Sequence, residues 1–174
     1  MSSVLPELID AWRMVSARRI FAGRLRLDAM PRLSSCLVDA LGECEFEVEF
    51  GRDEIGTAFL DVNVDARLPL VCQRTLVRFE LPVKIRQRLG LIRDEHEDAA
   101  LPEGYEPVLV PQDGALRLVD AIEDELILAV PVVPMSSDGL APDGVVWQDL
   151  EVEVPDDEKQ VNPFAALAGL KKQD

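Results

Sequence analysis

The six residues Glu45-Phe46-Glu47-Val48-Glu49-Phe50 alternate acid and hydrophobe without a break, and this alternation decides the fold. In an extended chain successive side chains point to opposite faces, so Phe46, Val48 and Phe50 share one face and the three glutamates share the other. Such a strand covers a core on one side and meets water on the other, as antiparallel sheets do. Downstream, Gly51-Arg52-Asp53-Glu54-Ile55-Gly56 reads as a turn. Leu60, Val62 and Val64 then repeat the pattern with Asp61, Asn63 and Asp65 opposite, so the two strands are predicted to form a hairpin. After residues 69–75, a longer run places Val77, Phe79, Leu81, Val83 and Ile85 on one face and Arg78, Glu80, Lys84 and Arg86 on the other. Pro82 lies on the polar face of that run; having no N–H to donate, it requires a sheet edge or a bulge.

Helical spacing flanks the strands. Leu5, Leu8, Ile9, Trp12 and Val15, with Pro6 near the start, predict a helix over residues 6–18. A short strand is expected at 20–27, and Leu33, Leu37, Val38 and Leu41 predict a second helix over 30–41. Residues 105–111, broken by prolines, suit only a short extended piece. A third helix over 116–129 turns Val119, Ile122, Leu126 and Ala129 inward and Glu123, Asp124 and Glu125 largely outward, and Pro131 ends it. Residues 135–144 have loop composition and 149–158 form an acidic stretch. At the end of the chain Asn162 suits an N-cap and Pro163 a first helical position, and Phe164, Leu167 and Leu170 are spaced for one short amphipathic helix before Lys171 and Lys172. The predicted architecture is α+β: a mostly antiparallel β-sheet, its closure into a barrel left open, covered by about three helices. Residues 1–154 form one domain; residues 155–174 form a flexible acidic linker and the short helical motif.

A chain of 174 residues can bury roughly 70% of its unfolded surface without covalent staples. No apolar run approaches the roughly 20 residues of a membrane span, and the N-terminus lacks the basic and apolar segments of a signal peptide, so a cytoplasmic protein is expected. Cys36, Cys44 and Cys72 match no disulfide framework or zinc ligand set, and reduced thiols follow. The net charge of −15 is unevenly placed. Residues 74–93 carry six basic side chains against one acid, whereas residues 94–158 carry one against nineteen. RNA is held mainly through lysine and arginine contacts that release counterions, so the whole-chain charge argues against broad RNA coating. A basic partner would be steered to the acidic half, while the island at 74–93 keeps local RNA contact open. Solvated acidic surface that aids solubility is the plainer reading of the same charge.

Catalytic signatures are lacking in the sequence. The single histidine, His96, sits within Asp94-Glu95-His96-Glu97-Asp98, acids that favour its protonated form and suit a solvated loop. No nucleophile elbow accompanies it, and no phosphate-cradling glycine loop is present. Val71-Cys72-Gln73-Arg74-Thr75 lies where a tight turn would present two thiolates to zinc, but Thr75 occupies the second place. No metal is therefore expected, and Cys36 and Cys44 are read as small core residues.

Four motifs carry a family resemblance. Leu70-Val71-Cys72-Gln73-Arg74 resembles a Cys-Gln-Arg-Cys element, with Thr75 where the second cysteine is common, and Leu101-Pro102-Glu103-Gly104-Tyr105-Glu106-Pro107 is similar to a Leu-Pro-Glu-x-Tyr-Glu-Pro segment. Glu123-Asp124-Glu125-Leu126-Ile127-Leu128-Ala129-Val130-Pro131-Val132-Val133-Pro134 resembles a signature helix and its exit, and Asn162 to Lys171 resembles a closing motif. All four, in this order, are those of the bacterial YceD family, the large ribosomal RNA subunit accumulation proteins. The resemblance implies a role in accumulation of large-subunit rRNA; joined to the lack of catalytic signatures and the divided charge, it leads to the expectation of a non-enzymatic ribosome biogenesis factor that binds a pre-ribosomal component, with no cofactor, no small-molecule substrate and no membrane. The expected contact residues are Arg74, Arg78, Lys84, Arg86, Arg88, Arg93, Tyr105, Glu123, Asp124 and Glu125, together with the terminal Asn162, Pro163, Phe164, Leu167, Leu170, Lys171 and Lys172. The apolar residues of that terminal motif have a second reading, in which they fold back onto the domain's own core. Direct rRNA binding along the basic strand is the alternative function, and a nuclease would need metal-binding acids that the sequence does not single out. Oligomeric state is not legible.

Overall fold

The structure, a computed structural model, describes residues 5–136. Its elements run β1 (Ile9–Asp10), α1 (Ala11–Ser16), β2 (Ile20–Arg26), α2 (Pro31–Ser34), β3 (Glu43–Arg52), β4 (Ala58–Val71), β5 (Arg78–Ile92), β6 (Glu106–Leu109), β7 (Ala115–Leu116) and α3 (Leu118–Leu128), with 3₁₀ turns at Leu27–Ala29 and Glu95–Ala100. The strands β2-β3-β4-β5-β6 form one open sheet, so the barrel question resolves to an open edge at each side, and β1 pairs with β7 in a small separate ribbon. The first four strands are antiparallel neighbours in chain order, and β6 adds in parallel.

The alternation quoted first sets the register. Phe46 stands opposite Val64 and Val64 opposite Ile85, while Phe50, Leu60 and Leu89 form a parallel row. One face is therefore apolar across four strands, with Val48, Phe50, Leu60, Val62 and Val64 fully buried. Each such side chain contributes about 1.5–3 kcal/mol of burial. Helix α1 packs on β3 and β4, α3 on β4, and α2 on α3, closing the core from that side. Phe21 on β2 meets Phe50 edge to face at 6.1 Å. The opposite face of the sheet carries the charges.

Pro82 sits as its chemistry requires. Strand β6 pairs only with Leu89–Ile92 of β5, so among the described residues the strand at Pro82 has a partner on one side, Arg67 of β4, and none on the other.

The first two helices are shorter than their spacing predicts. Asp10 accepts the Arg13 N–H at 3.0 Å and starts α1 at Ala11; of the preceding residues expected in the helix, Ile9 and Asp10 are extended and pair with β7. Helix α2 stops at Ser34, where the ladder tightens: the Cys36 and Leu37 N–H groups bond Leu33 O and Ser34 O, three residues back, and Ser35 Oγ donates back to Arg32 O. The Val38 N–H then bonds Pro69 O, leaving Val38 and Leu41 exposed. Cys44 is buried as expected, but Cys36 is exposed, since the helix that would have turned it inward has ended. In α3 the acids are not an outward face: Glu123 and Glu125 are buried, and only Asp124 of the three is exposed. The acidic stretch 149–158 and the terminal motif with Asn162, Pro163, Phe164, Leu167, Leu170, Lys171 and Lys172 lie outside the described residues.

Candidate functional site

The charged sheet face brings the acidic strands β3 and β4 against the basic strand β5. Register places Glu45 beside Asp65 and Asp65 beside Lys84; the next row is Glu47, Asn63 and Arg86, and the next Glu49, Asp61 and Arg88. The predicted basic strip is consequently neutralised within the fold. Lys84 Nζ lies 3.2 Å and Arg86 3.0 Å from Asp65, and Arg88 grips Asp61 with two hydrogen bonds of 2.6 Å. Arg78 reaches across to Asp39 at 2.7 Å and to Glu80 at 3.5 Å. These bonds hold the Asp65 carboxyl below its ordinary range, chiefly through Arg86 and then Lys84, and Arg78 does the same to Asp39. Arg88, held by Asp61, is correspondingly harder to deprotonate.

Arg88 is also packed. Its guanidinium lies 4.3 Å from the Phe59 ring centroid and 5.6 Å from that of Tyr105. The Tyr105 hydroxyl donates to Asp53 Oδ2 at 3.0 Å, pinning the 101–107 segment to the β3–β4 turn. Burial, then the neighbouring Asp53, pushes the Tyr105 phenol upward. Two strand glycines receive this layer: a Cβ on Gly51 would stand 2.5 Å from the Phe59 ring, and one on Gly90 would stand 2.6 Å from Leu101. Tyr105, expected as a contact residue, is half-buried and anchors this segment through its hydroxyl. Arg93 lies over Trp12, 4.4 Å from its ring, and Arg74 is exposed in the β4–β5 turn and makes no ion pair with the described residues.

The signature helix has a comparable internal role. Glu123 accepts the N–H groups of Arg32 at 2.7 Å and Leu33 at 3.1 Å, at the start of α2, and also takes the Arg32 side chain at 2.9 Å. Asp124 takes the other guanidinium nitrogen at 2.5 Å. Apolar spacing places a helix over residues 30–41, but the acid that caps its start lies 91 positions from Arg32 and nothing local points to it.

Cys72 is fully buried at the β4–β5 turn. The Thr75 hydroxyl bonds its sulfur, and the Ser136 N–H approaches at 3.4 Å. With the turn amides, these donors outweigh burial and pull the thiol down to about 6. Burial alone acts oppositely on Cys44, which is pushed up to about 11. His96 is exposed in its 3₁₀ turn. Among the described residues no group of three or more His, Cys, Asp or Glu side chains is placed to hold a metal ion, and no helix is long and apolar enough to cross a membrane.

What remains uncompensated on the face is mostly acidic, with Arg67 of β4 an exposed base there that enters no ion pair among the described residues. Glu43, Glu47 and Glu49 of β3 are exposed and enter no ion pair among the described residues, whereas Glu45 meets Arg24. A shallow depression of about 540 Å³ runs beside them, bordered by Gly23, Glu45, Glu47, Asn63, Asp65 and Arg86.

A mostly antiparallel sheet, covered by helices on its apolar face and charged on the other, defines the class: an α+β protein. The chain belongs to the YceD family, described as large ribosomal RNA subunit accumulation protein YceD, which matches residues 60–171. It is 28% identical over 169 residues to the large ribosomal RNA subunit accumulation protein YceD of Haemophilus influenzae, covering 97% of each chain. No solved structure matches it.

Proposed function

We propose that this protein is a non-enzymatic ribosome biogenesis factor that supports accumulation of large-subunit rRNA by binding a basic protein component of the pre-ribosomal particle. The family supplies the process. One observation carries the partner's chemistry: Lys84, Arg86 and Arg88 are bound to Asp61 and Asp65, while Glu43, Glu47 and Glu49 beside them stay uncompensated. A face in that state attracts lysine and arginine and repels phosphate, and complementary fields of this kind govern encounter and specificity. Direct rRNA binding along β5 is the weaker reading, because its cations already have partners.

Purified protein, titrated separately with large-subunit ribosomal proteins and with rRNA fragments at low salt, tests the proposal. Saturable binding to a basic ribosomal protein, weakened by the double substitution Glu47→Lys and Glu49→Lys, is expected. Binding to rRNA alone, indifferent to that substitution, would refute it.

A further inference from the structure

Glu125 is a buried acid with no partner among the described residues. It is 9% exposed and, among those residues, accepts no hydrogen bond and joins no ion pair, in contrast to Glu123 two residues before it, which is fully engaged. An ionised carboxylate placed so is costly unless a cation or donors reach it. It lines a groove of about 350 Å³ between α3, β5, β6 and the β1–β7 ribbon. Its walls are largely apolar, with Leu8, Leu89, Val108 and Leu116, and α3 adds the acids Asp120, Asp124 and Glu125 to the lining. Leu8 is 60% exposed at the opening. The nearby cations are committed: Arg117 to Asp120 at 3.4 Å, and Arg32 to Glu123 and Asp124. A largely apolar groove lined by a carboxylate with no partner among the described residues matches a side chain with a methylene stem and a cationic head, which is the form of lysine and arginine.

We propose that this groove seats one lysine or arginine side chain projecting from a basic protein segment, with its stem along Leu89, Val108 and Leu116 and its charge on Glu125. This deepens the proposed function and rests on its basic protein partner; it adds a specific socket to a general field. The socket is pH-sensitive. Burial raises the Glu125 carboxyl, and the charges of Glu106 on β6 and Asp124 on α3 add to the effect. Asp120 also faces the groove, and Arg117 is the one cation that lines it. A bound cation favours the ionised form, so affinity falls as pH drops and Glu125 protonates.

The test titrates the full-length protein with a synthetic lysine- and arginine-rich peptide, capped at both ends, by calorimetry. Glu125→Gln is expected to weaken binding by about thirtyfold or more, as loss of one member of a desolvated charge pair does. Its thermal unfolding should be no earlier than that of the unaltered protein, since an unpaired acid has been removed. The unaltered protein provides a second measurement: its affinity should fall with acidification, and the Glu125→Gln affinity should not. Equal affinity in Glu125→Gln, or a pH-independent affinity in the unaltered protein, would overturn the proposal. If Glu47→Lys with Glu49→Lys abolishes peptide binding while Glu125→Gln retains it, the socket fails and the acidic face stands. Should Lys171→Ala with Lys172→Ala strengthen peptide binding tenfold, the chain's own terminus occupies the groove and the partner socket is likewise overturned.

Discussion

Thr75 shows how one substitution redirects a site. Where the family resemblance leads one to expect a second thiol, a hydroxyl donates to the Cys72 sulfur and favours its thiolate. Thr75→Val should therefore raise the thiol's midpoint above about 6, read as the ultraviolet thiolate absorbance that Cys72→Ala removes; an unchanged midpoint would assign the effect to the turn amides. The folded value lies below the ordinary 9.0, so between the two the unfolded chain binds the extra proton. This contribution to stability is absent below about pH 6, grows as pH rises toward 9.0, and is lost again on acidification. Glu123 acts through its two backbone bonds to α2. Glu123→Ala should destabilise the fold by about 2–4 kcal/mol in urea unfolding, because it strands two amides and the Arg32 guanidinium. None of this was legible in the sequence. Acid and apolar residues share one helix in the signature segment, and spacing on a single helix cannot tell an acid that faces water from one that caps a distant helix.

Among the elements, the strands were the readable part. Period two in β3, β4 and β5 gave both the faces and the hairpin, because that spacing is the geometry of an extended chain. The helices were read too long, since the apolar positions of 30–41 say nothing of serines that bond backward. The neutralisation of β5 was hidden for another reason: charge summed along the sequence ignores which strand lies alongside, and the antiparallel register sets Asp61 and Asp65 directly against the basic residues. Gly51 and Gly90 are likewise ordinary strand glycines in sequence and become receiving surfaces only once Phe59 and Leu101 lie over them. Gly51→Ala should cost about 1–3 kcal/mol by forcing the Phe59 ring off its seat, and should lower the thermal midpoint. A variant as stable as the parent would show that the ring has room to move.

At the scale of the whole molecule, the fold turns a segmental charge pattern into a sheet face on which unpaired acids outnumber unpaired bases among the described residues. If the ion pairs of β4 and β5 are what keep nucleic acid away, removing the acids should invite it. Asp61→Asn with Asp65→Asn frees Lys84, Arg86 and Arg88, and should raise affinity for rRNA fragments with a steeper salt dependence. The accompanying stability loss should be small, about 0–1 kcal/mol for each exposed pair. Equal rRNA affinity before and after would mean that the pairing does not control partner choice.

Pro82 has a consequence for how copies of this protein coexist at high concentration. A long strand edge with free donors is a template on which a second chain can extend the sheet, and proline and lysine are residues that spoil such templates. Along β5 the stretch beyond the reach of β6 carries Pro82 and Lys84. The sheet can remain open, its charged face accessible, without recruiting its own kind. Pro82→Val should expose that hazard as concentration-dependent sedimentation of larger species, with the parent remaining at one size.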